Sequence, residues 1–271
     1  MRNWKIAPQD PTVARFIDCY WFLEKTEDDI GPDYPKLNPD PAGHIILADS
    51  AQSYQYQSES FKAQGVGCHF IYPHSKTLVM DHSQPFLVVG IKFHVGTLYS
   101  LRSPHSELAI DKIIDSKAVL SFDSEQIVTD MSRSPEEHRD HFDGLLEPFL
   151  RNPYEDKHSD LVRKVIPIFL GTPLSDLGIE LGFSQRTIER SFVRVTGFTL
   201  KQYDAMLRLE RLLDHVHRLD SSELEWADIA LQFGFSDQSH LVRYLKGAIG
   251  STPGRYAKYR DLAIDAYGDF E

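Results

Sequence analysis

Two groups of side chains, 53 residues apart, have the types needed to read the edges of base pairs. The first is Gln185, Arg186, Glu189 and Arg190; the second is Gln238, Ser239, Val242, Arg243 and Lys246. Arg suits the O6/N7 pair of guanine, Gln suits adenine, Glu accepts from cytosine N4 and Val meets a thymine methyl. The spacing in each group puts its members on one face of a helix, with Ile188 and Phe192, or Leu241 and Leu245, pointing inward behind them. Two alternatives stay open within these groups. Arg190 and Arg243 hold matching places and serve a base, a phosphate or an internal ion pair, while Glu189 either accepts from a base or orients Arg186 or Arg190. Lys201, Thr252 and Arg255 lie near expected helix starts, where they would hold phosphates and position the protein without specifying a sequence.

Catalytic chemistry has a weaker basis. The chain contains no glycine-rich phosphate loop, nucleophile elbow or paired-carboxylate motif. His44, His69, His74, His82 and His94 fall in the first hundred residues, so a metal-binding enzyme of the cupin type is the rival reading. Its ligand set begins with His-x-His on one strand, and no such pair occurs before residue 150. The expectation is therefore no metal, no cofactor and no enzymatic activity. Cys19 and Cys68 are the two cysteines, and they read as buried thiols of a reducing compartment.

The elements that must carry the reading groups are set by a repeat. Residues 177–184, Leu-Gly-Ile-Glu-Leu-Gly-Phe-Ser, return as residues 229–236, Ile-Ala-Leu-Gln-Phe-Gly-Phe-Ser. The first copy continues through Ile188, Arg190 and Phe192 to Gly197 and Tyr203; the second runs through Leu241, Arg243 and Leu245 to Gly250 and Tyr256, with one extra residue in its turn. Each has the grammar of a helix-turn-helix: a short apolar-periodic helix, a glycine suited to positive φ, then a second helix capped by Ser or a neighbour. Residues 200–217 have the apolar period of one helix, and 18 residues make a rod of about 27 Å. A single helix can thus space two reading helices for successive major-groove turns, which lie about 34 Å apart.

Residues from about 160 to 260 resemble the DNA-binding domain of the AraC/XylS family of bacterial transcription regulators. The resemblance is carried most strongly by Asp228, Ile229 and Ala230, by residues 234–243 (Gly-Phe-Ser-Asp-Gln-Ser-His-Leu-Val-Arg) and by residues 250–256 (Gly-Ser-Thr-Pro-Gly-Arg-Tyr). The first unit departs from the family pattern at Gly178, where Ala is usual, and at Thr199 and Leu200, where a Ser/Thr-Pro pair is common. Gly178 is expected to loosen its helix by about 1 kcal/mol relative to Ala and to make the first unit the weaker one. The resemblance implies a cytoplasmic regulator that binds double-stranded DNA through two adjacent major-groove segments and responds to a small-molecule effector. RNA polymerase would be a partner if the protein activates, and a homodimer is a further expectation. An amino-terminal domain that serves protein interaction alone is the other alternative.

The expected fold is α+β. Candidate strands at residues 16–22, 44–48, 53–57, 68–72, 77–81 and 86–93, separated by Pro, Gly, Asn and Asp clusters, suggest a small cupin-like barrel or sandwich with appended helices. Residues 134–137, Ser-Pro-Glu-Glu, open a helix carrying Phe142, Leu145, Leu146, Phe149 and Leu150. Tyr20, Trp21, residues 38–43 and residues 90–96 resemble an uncharacterised domain found on some AraC-type regulators; the sensor domains of better-known members imply a ligand-holding barrel. Trp4, Trp21, Tyr54, Tyr56, Phe70 and Tyr72 line a pocket on that analogy, or simply fill a core.

Residues 1–152 are thus read as a sensor or dimerisation domain, 157–260 as an all-α pair of homeodomain-like units and 261–271 as an acidic tail. Charge divides the same way: residues 157–260 hold 15 Lys/Arg against 12 Asp/Glu, residues 1–156 hold 14 against 24, and the last eleven add −4 to a total of −11. Phosphate neutralisation drives non-specific binding, so the charge supports the reading only modestly. No apolar run is long enough to span a bilayer, and the first residues lack the apolar core of a signal peptide.

Overall fold

The computed structural model describes residues 1–101, 109–115, 134–220 and 223–268. Its amino-terminal half is built from two antiparallel sheets. One has six strands in the order β1-β2-β9-β4-β7-β10, formed by Arg2–Ile6, Ile17–Lys25, Phe86–Phe93, His44–Ala48, His69–Ile71 and Ile113–Asp115. The other has the order β3-β8-β5-β6, from Lys36–Leu37, Leu78–Met80, Ser53–Gln57 and Lys62–Val66. This is a sandwich; no closed barrel is present among the described residues.

Alternation along the central strands explains the layering. Tyr20, Phe22, Ile45, Leu47, Val89, Ile91 and Phe93 face one way and form a core with Phe142, Leu146 and Leu150 of helix α3 (Pro135–Leu150). Cys19, Trp21, Leu23 and Ile46 face the other way and meet Leu37, Tyr56, Leu78 and Met80 of the second sheet. Strand β2 is buried nearly end to end because both of its faces are covered. Gly90 is required by this packing: a Cβ there would stand 1.9 Å from the Trp21 ring.

Helix α3 begins after Ser134, which forms a capping box with Glu137, and its Asp143 accepts from the Tyr20 hydroxyl at 2.7 Å and from Gln9 N and Asp10 N at 2.8 Å each. The short helix α1 (Pro11–Ala14) follows Asp10, its N-cap. Cys19 and Cys68 are buried, belong to opposite faces of the six-stranded sheet and are not joined in a disulfide.

From residue 157 the described chain is helical: α4 (Lys157–Phe169), α5 (Leu177–Leu181), α6 (Gln185–Thr196), α7 (Leu200–His217), α8 (Trp226–Gln232), α9 (Gln238–Ile249), α10 (Pro253–Tyr259) and α11 (Ala263–Tyr267). Two cores form here. Leu161, Val165, Leu177, Ile188, Phe192, Leu200 and Tyr203 make the first; Leu209, Leu212, Val216, Ile229, Leu241, Leu245 and Tyr256 make the second. Helix α7 therefore starts in one core and ends in the other.

The two halves are in contact. Tyr99, in helix α2 (Thr97–Leu101), is fully buried in the first helical core. Its hydroxyl donates to Asp156 Oδ2 at 2.7 Å and accepts from Arg194 Nε at 3.0 Å. The segment read as an acidic tail is also folded in its described part: Leu262, Ala263 and Tyr267 are buried, and residues 269–271 lie outside the described residues.

Candidate nucleic-acid interface

Each unit positions its reading helix with a glycine turn and a cap. Gly182 at φ 71° and Gly234 at φ 75° take the left-handed conformation that ends α5 and follows α8. Ser184 caps α6 by accepting from Thr187 N at 3.2 Å. In the second unit the extra residue, Asp237, takes that role and accepts from His240 N at 2.8 Å. That hydrogen bond is the largest influence holding the Asp237 carboxyl below its ordinary range, with smaller contributions from Ser236 and Arg243.

Behind the reading faces, Ile188 and Phe192 are buried in α6, as are Leu241 and Leu245 in α9. Gln185, Arg186, Glu189 and Arg190 are exposed on α6; Gln238, Ser239, Arg243 and Lys246 are exposed on α9, with Val242 half-buried among them. None of Arg186, Arg190, Arg243 or Lys246 has a carboxylate within ion-pair distance among the described residues. Glu189 accepts from Gln185 Nε2 at 2.8 Å and so orients neither arginine; the two residues share one polar platform.

Lys201 is exposed in the first turn of α7, after the Thr199 capping box. Thr252 caps α10 through Arg255 N at 3.3 Å, and the exposed Arg255 lies over the Tyr259 ring at 5.8 Å. Two exposed first-turn residues escaped the sequence reading, Thr187 in α6 and His240 in α9. Their place beside Arg186 and Ser239 on the helical face was the available signal.

Histidines of the amino-terminal half are engaged separately. His44 Nε2 meets Asp40 at 3.1 Å, His69 meets the Tyr56 hydroxyl at 2.8 Å and Gly67 O at 3.0 Å, and His74 Nδ1 meets Lys76 O at 2.8 Å. His82 bonds to the Tyr267 hydroxyl and His94 Nε2 meets Ala14 O at 3.2 Å. No three metal-ligating side chains converge among the described residues. Of the six aromatic residues considered for a pocket, Trp21, Tyr54 and Tyr56 line a cavity of about 50 Å³ between the sheets. Phe70 is core, with Trp4 and Tyr72 packed against it. A larger cleft, about 440 Å³, separates the two halves between Lys92 and Phe93 on one side and Arg163, Tyr203 and Glu210 on the other.

Residues 177–259 match the family of helix-turn-helix domains, and residues 5–114 match a domain of unknown function (DUF6597). The probable transcription factor PqrA of Proteus vulgaris is 30% identical over 86 residues, which are 32% of this chain and 68% of PqrA. The chain belongs to the AraC family of transcription regulators. The regulator RipA of Corynebacterium diphtheriae is 32% identical over 93 residues, 34% of this chain and 27% of that protein. The chain thus spans about two thirds of PqrA and about a quarter of RipA. Among solved structures, ToxT of Vibrio cholerae is similar at a TM-score of 0.47 and 14% identity, over 95% of this chain and 97% of ToxT. As an AraC-family regulator the protein binds DNA through its helix-turn-helix region. No helix among the described residues is long and apolar enough to cross a membrane.

Proposed function

We propose that this AraC-family protein reads one face of a duplex with both of its units, residues 157–260, and that residues 1–152 take up a small-molecule effector that sets the outcome. The observation that carries the first part is the joint geometry of the reading helices. Both present exposed Gln and Arg side chains with no ion pair among the described residues, and one helix, α7, is shared by their two cores. Gln185, Arg186, Glu189, Arg190, Gln238, Ser239, Val242, Arg243 and Lys246 then meet base edges, and Lys201, Thr252 and Arg255 hold phosphates. Thr187 and His240 join them at the helix starts. Such a protein works in the bacterial cytoplasm, and neither RNA polymerase nor a second copy of the chain is needed for this step.

The effector part is supported by the aromatic cavity between the sheets and by the contacts of Tyr99 that tie the first helical unit to the amino-terminal half. Selection of bound duplexes from a random pool with the intact protein tests the reading. The expected result is enrichment of two non-identical half-sites, and a pool that stays random after several rounds would refute it. For the effector, a metabolite at 100 times its Kd should stabilise the protein by about 2.7 kcal/mol in a thermal-shift screen.

A further inference from the structure

The chain leaves α10 through Arg260, at φ 45°, and turns back onto the amino-terminal half. Arg260 spans this turn by donating to the carbonyls of Val216 and Leu219 at the end of α7, 2.8 Å each. Asp261 pairs with Lys36 at 2.5 Å, and its carbonyl accepts from Lys36 N at 2.8 Å. Leu262 is buried with Tyr256 and Leu245 in the second helix-turn-helix core, whereas Ala263 and Tyr267 are buried with Trp21, Leu37 and Met80 between the sheets. Asp265 accepts from the Tyr256 hydroxyl at 3.2 Å and faces His217 at 3.5 Å and Arg260 at 3.6 Å. One short segment is thus part of two cores.

Tyr267 also stands at the wall of the inter-sheet cavity. Its ring packs against His82 and Phe86, its hydroxyl bonds to His82 Nδ1, and both of those residues line the cavity. Its carbonyl accepts from Asn3 Nδ2 at 2.7 Å. About 50 Å³ holds a few waters, so a larger molecule enters only if His82 and Phe86 give way. The lining is rich in Trp, Tyr, Phe and aliphatic side chains and contains no Lys or Arg. Asp81, its one carboxylate, is already bonded to Ser83 N and Oγ.

We propose that this cavity admits an uncharged aromatic molecule and that α11, displaced through Tyr267, carries its occupancy to the second helix-turn-helix unit. The inference rests on the effector reading above and adds the class of ligand and the route. A ring inserted beside Trp21 and Tyr56 needs the space that His82 and Phe86 close. Moving them moves Tyr267, and Leu262 lies five residues away as the N-cap of the same helix. Coupling of two sites is reciprocal, so operator DNA must act on the cavity as the ligand acts on the operator.

The test uses the full-length protein, a selected operator duplex, and indole and benzoate as probes, with amide hydrogen exchange and operator affinity as readouts. Millimolar indole should change exchange in β8 and β9 at least threefold and operator affinity at least threefold, and benzoate should change neither. In Tyr267→Ala, indole should still alter exchange in those strands while operator affinity no longer responds. Tyr267→Phe keeps the packing and loses the bond to His82; it should at least halve the affinity response, and it serves if the alanine variant does not fold. Operator DNA without any probe should change exchange in β8 and β9 of the wild type and less in either variant. Equal responses to the two probes overturn the ligand class. An undiminished affinity response in both variants, or cavity protection with no affinity response in the wild type, overturns the route. A molecule that changes operator binding without touching β8 or β9 overturns the whole inference and leaves the effector reading standing.

Discussion

Arg243 is exposed on α9 with no carboxylate within ion-pair range among the described residues, so its guanidinium is available to a guanine. Arg243→Ala is expected to weaken operator binding by about 1–3 kcal/mol and to relax the preference at one base pair. Equal losses on operator and random duplex, measured by titration, would make Arg243 a phosphate contact instead. His69 governs a different property. It is buried, and burial holds its pKa down to about 4 against the raising effect of its hydrogen bond to Gly67 O. His82 is lowered by the same cause, to about 3, with Lys25 adding to it. The unfolded chain titrates near 6.5 and therefore binds more protons than the native state below that pH. Stability should be full above pH 6.5 and fall by about 1.4 kcal/mol per pH unit per group on the way to pH 4. Thermal midpoints at pH 7 and pH 5 check this: the drop should shrink in His69→Gln, and an unchanged drop would place the acid sensitivity elsewhere.

Helix propensity alone says that alanine at position 178 would strengthen α5. The turn says the opposite. A Cβ on Gly178 would stand 2.8 Å from the Phe183 carbonyl oxygen, a backbone atom that cannot swing away. Phe183 N also donates to Gly178 O at 3.1 Å, as Phe235 N donates to Ala230 O at 2.8 Å in the second unit. Ala230 makes the same bond, so a Cβ is compatible with such a turn; what Gly178 permits is the closer approach of the Phe183 carbonyl oxygen in the first unit. Gly178→Ala should lower stability by about 1–3 kcal/mol, the usual cost of overpacking. A rise in the urea midpoint would show that the turn relaxes and that propensity wins.

Helix α7 sets the distance between the units because each of its ends is packed into a different core. A rigid spacer of this kind predicts half-sites one helical turn apart, about 10–10.5 base pairs centre to centre. The half-sites should differ in sequence, since Gln185, Arg186 and Glu189 are not the groups that Gln238, Ser239 and Val242 present. Inserting five base pairs between them turns the second half-site to the opposite face of the duplex. Affinity should then fall towards that of one unit, and unchanged binding would mean that a single unit carries recognition. The net charges oppose one another on this scale. The acidic amino-terminal half, held against the helical units by Tyr99, Lys36 and α11, is expected to repel phosphate and to lower non-specific affinity most at low salt.

What the sequence determined by itself was local. The strands at His44–Ala48, Ser53–Gln57 and Phe86–Phe93, the capped helix from Pro135, the spacer Leu200–His217 and the exposed faces of α6 and α9 were legible. Alternation, capping residues and helical period are written in neighbouring positions. The edge strands Arg2–Ile6 and Lys62–Val66 and the two-residue β3 were not, because pairing with a distant strand forms them and their exposed faces break the apolar alternation. Tertiary structure also decided that Tyr99 completes the first helical core, that Gly178 is needed for a close approach, and that the acidic segment after Asp261 is a joint between the halves. Each of these depends on which surfaces meet across some sixty residues or more, or on a sub-ångström clearance. Ala263 and Tyr267 look like ordinary tail residues in the sequence; they are buried because Trp21, Leu37 and Met80, far away along the chain, offer an apolar surface that they help to cover.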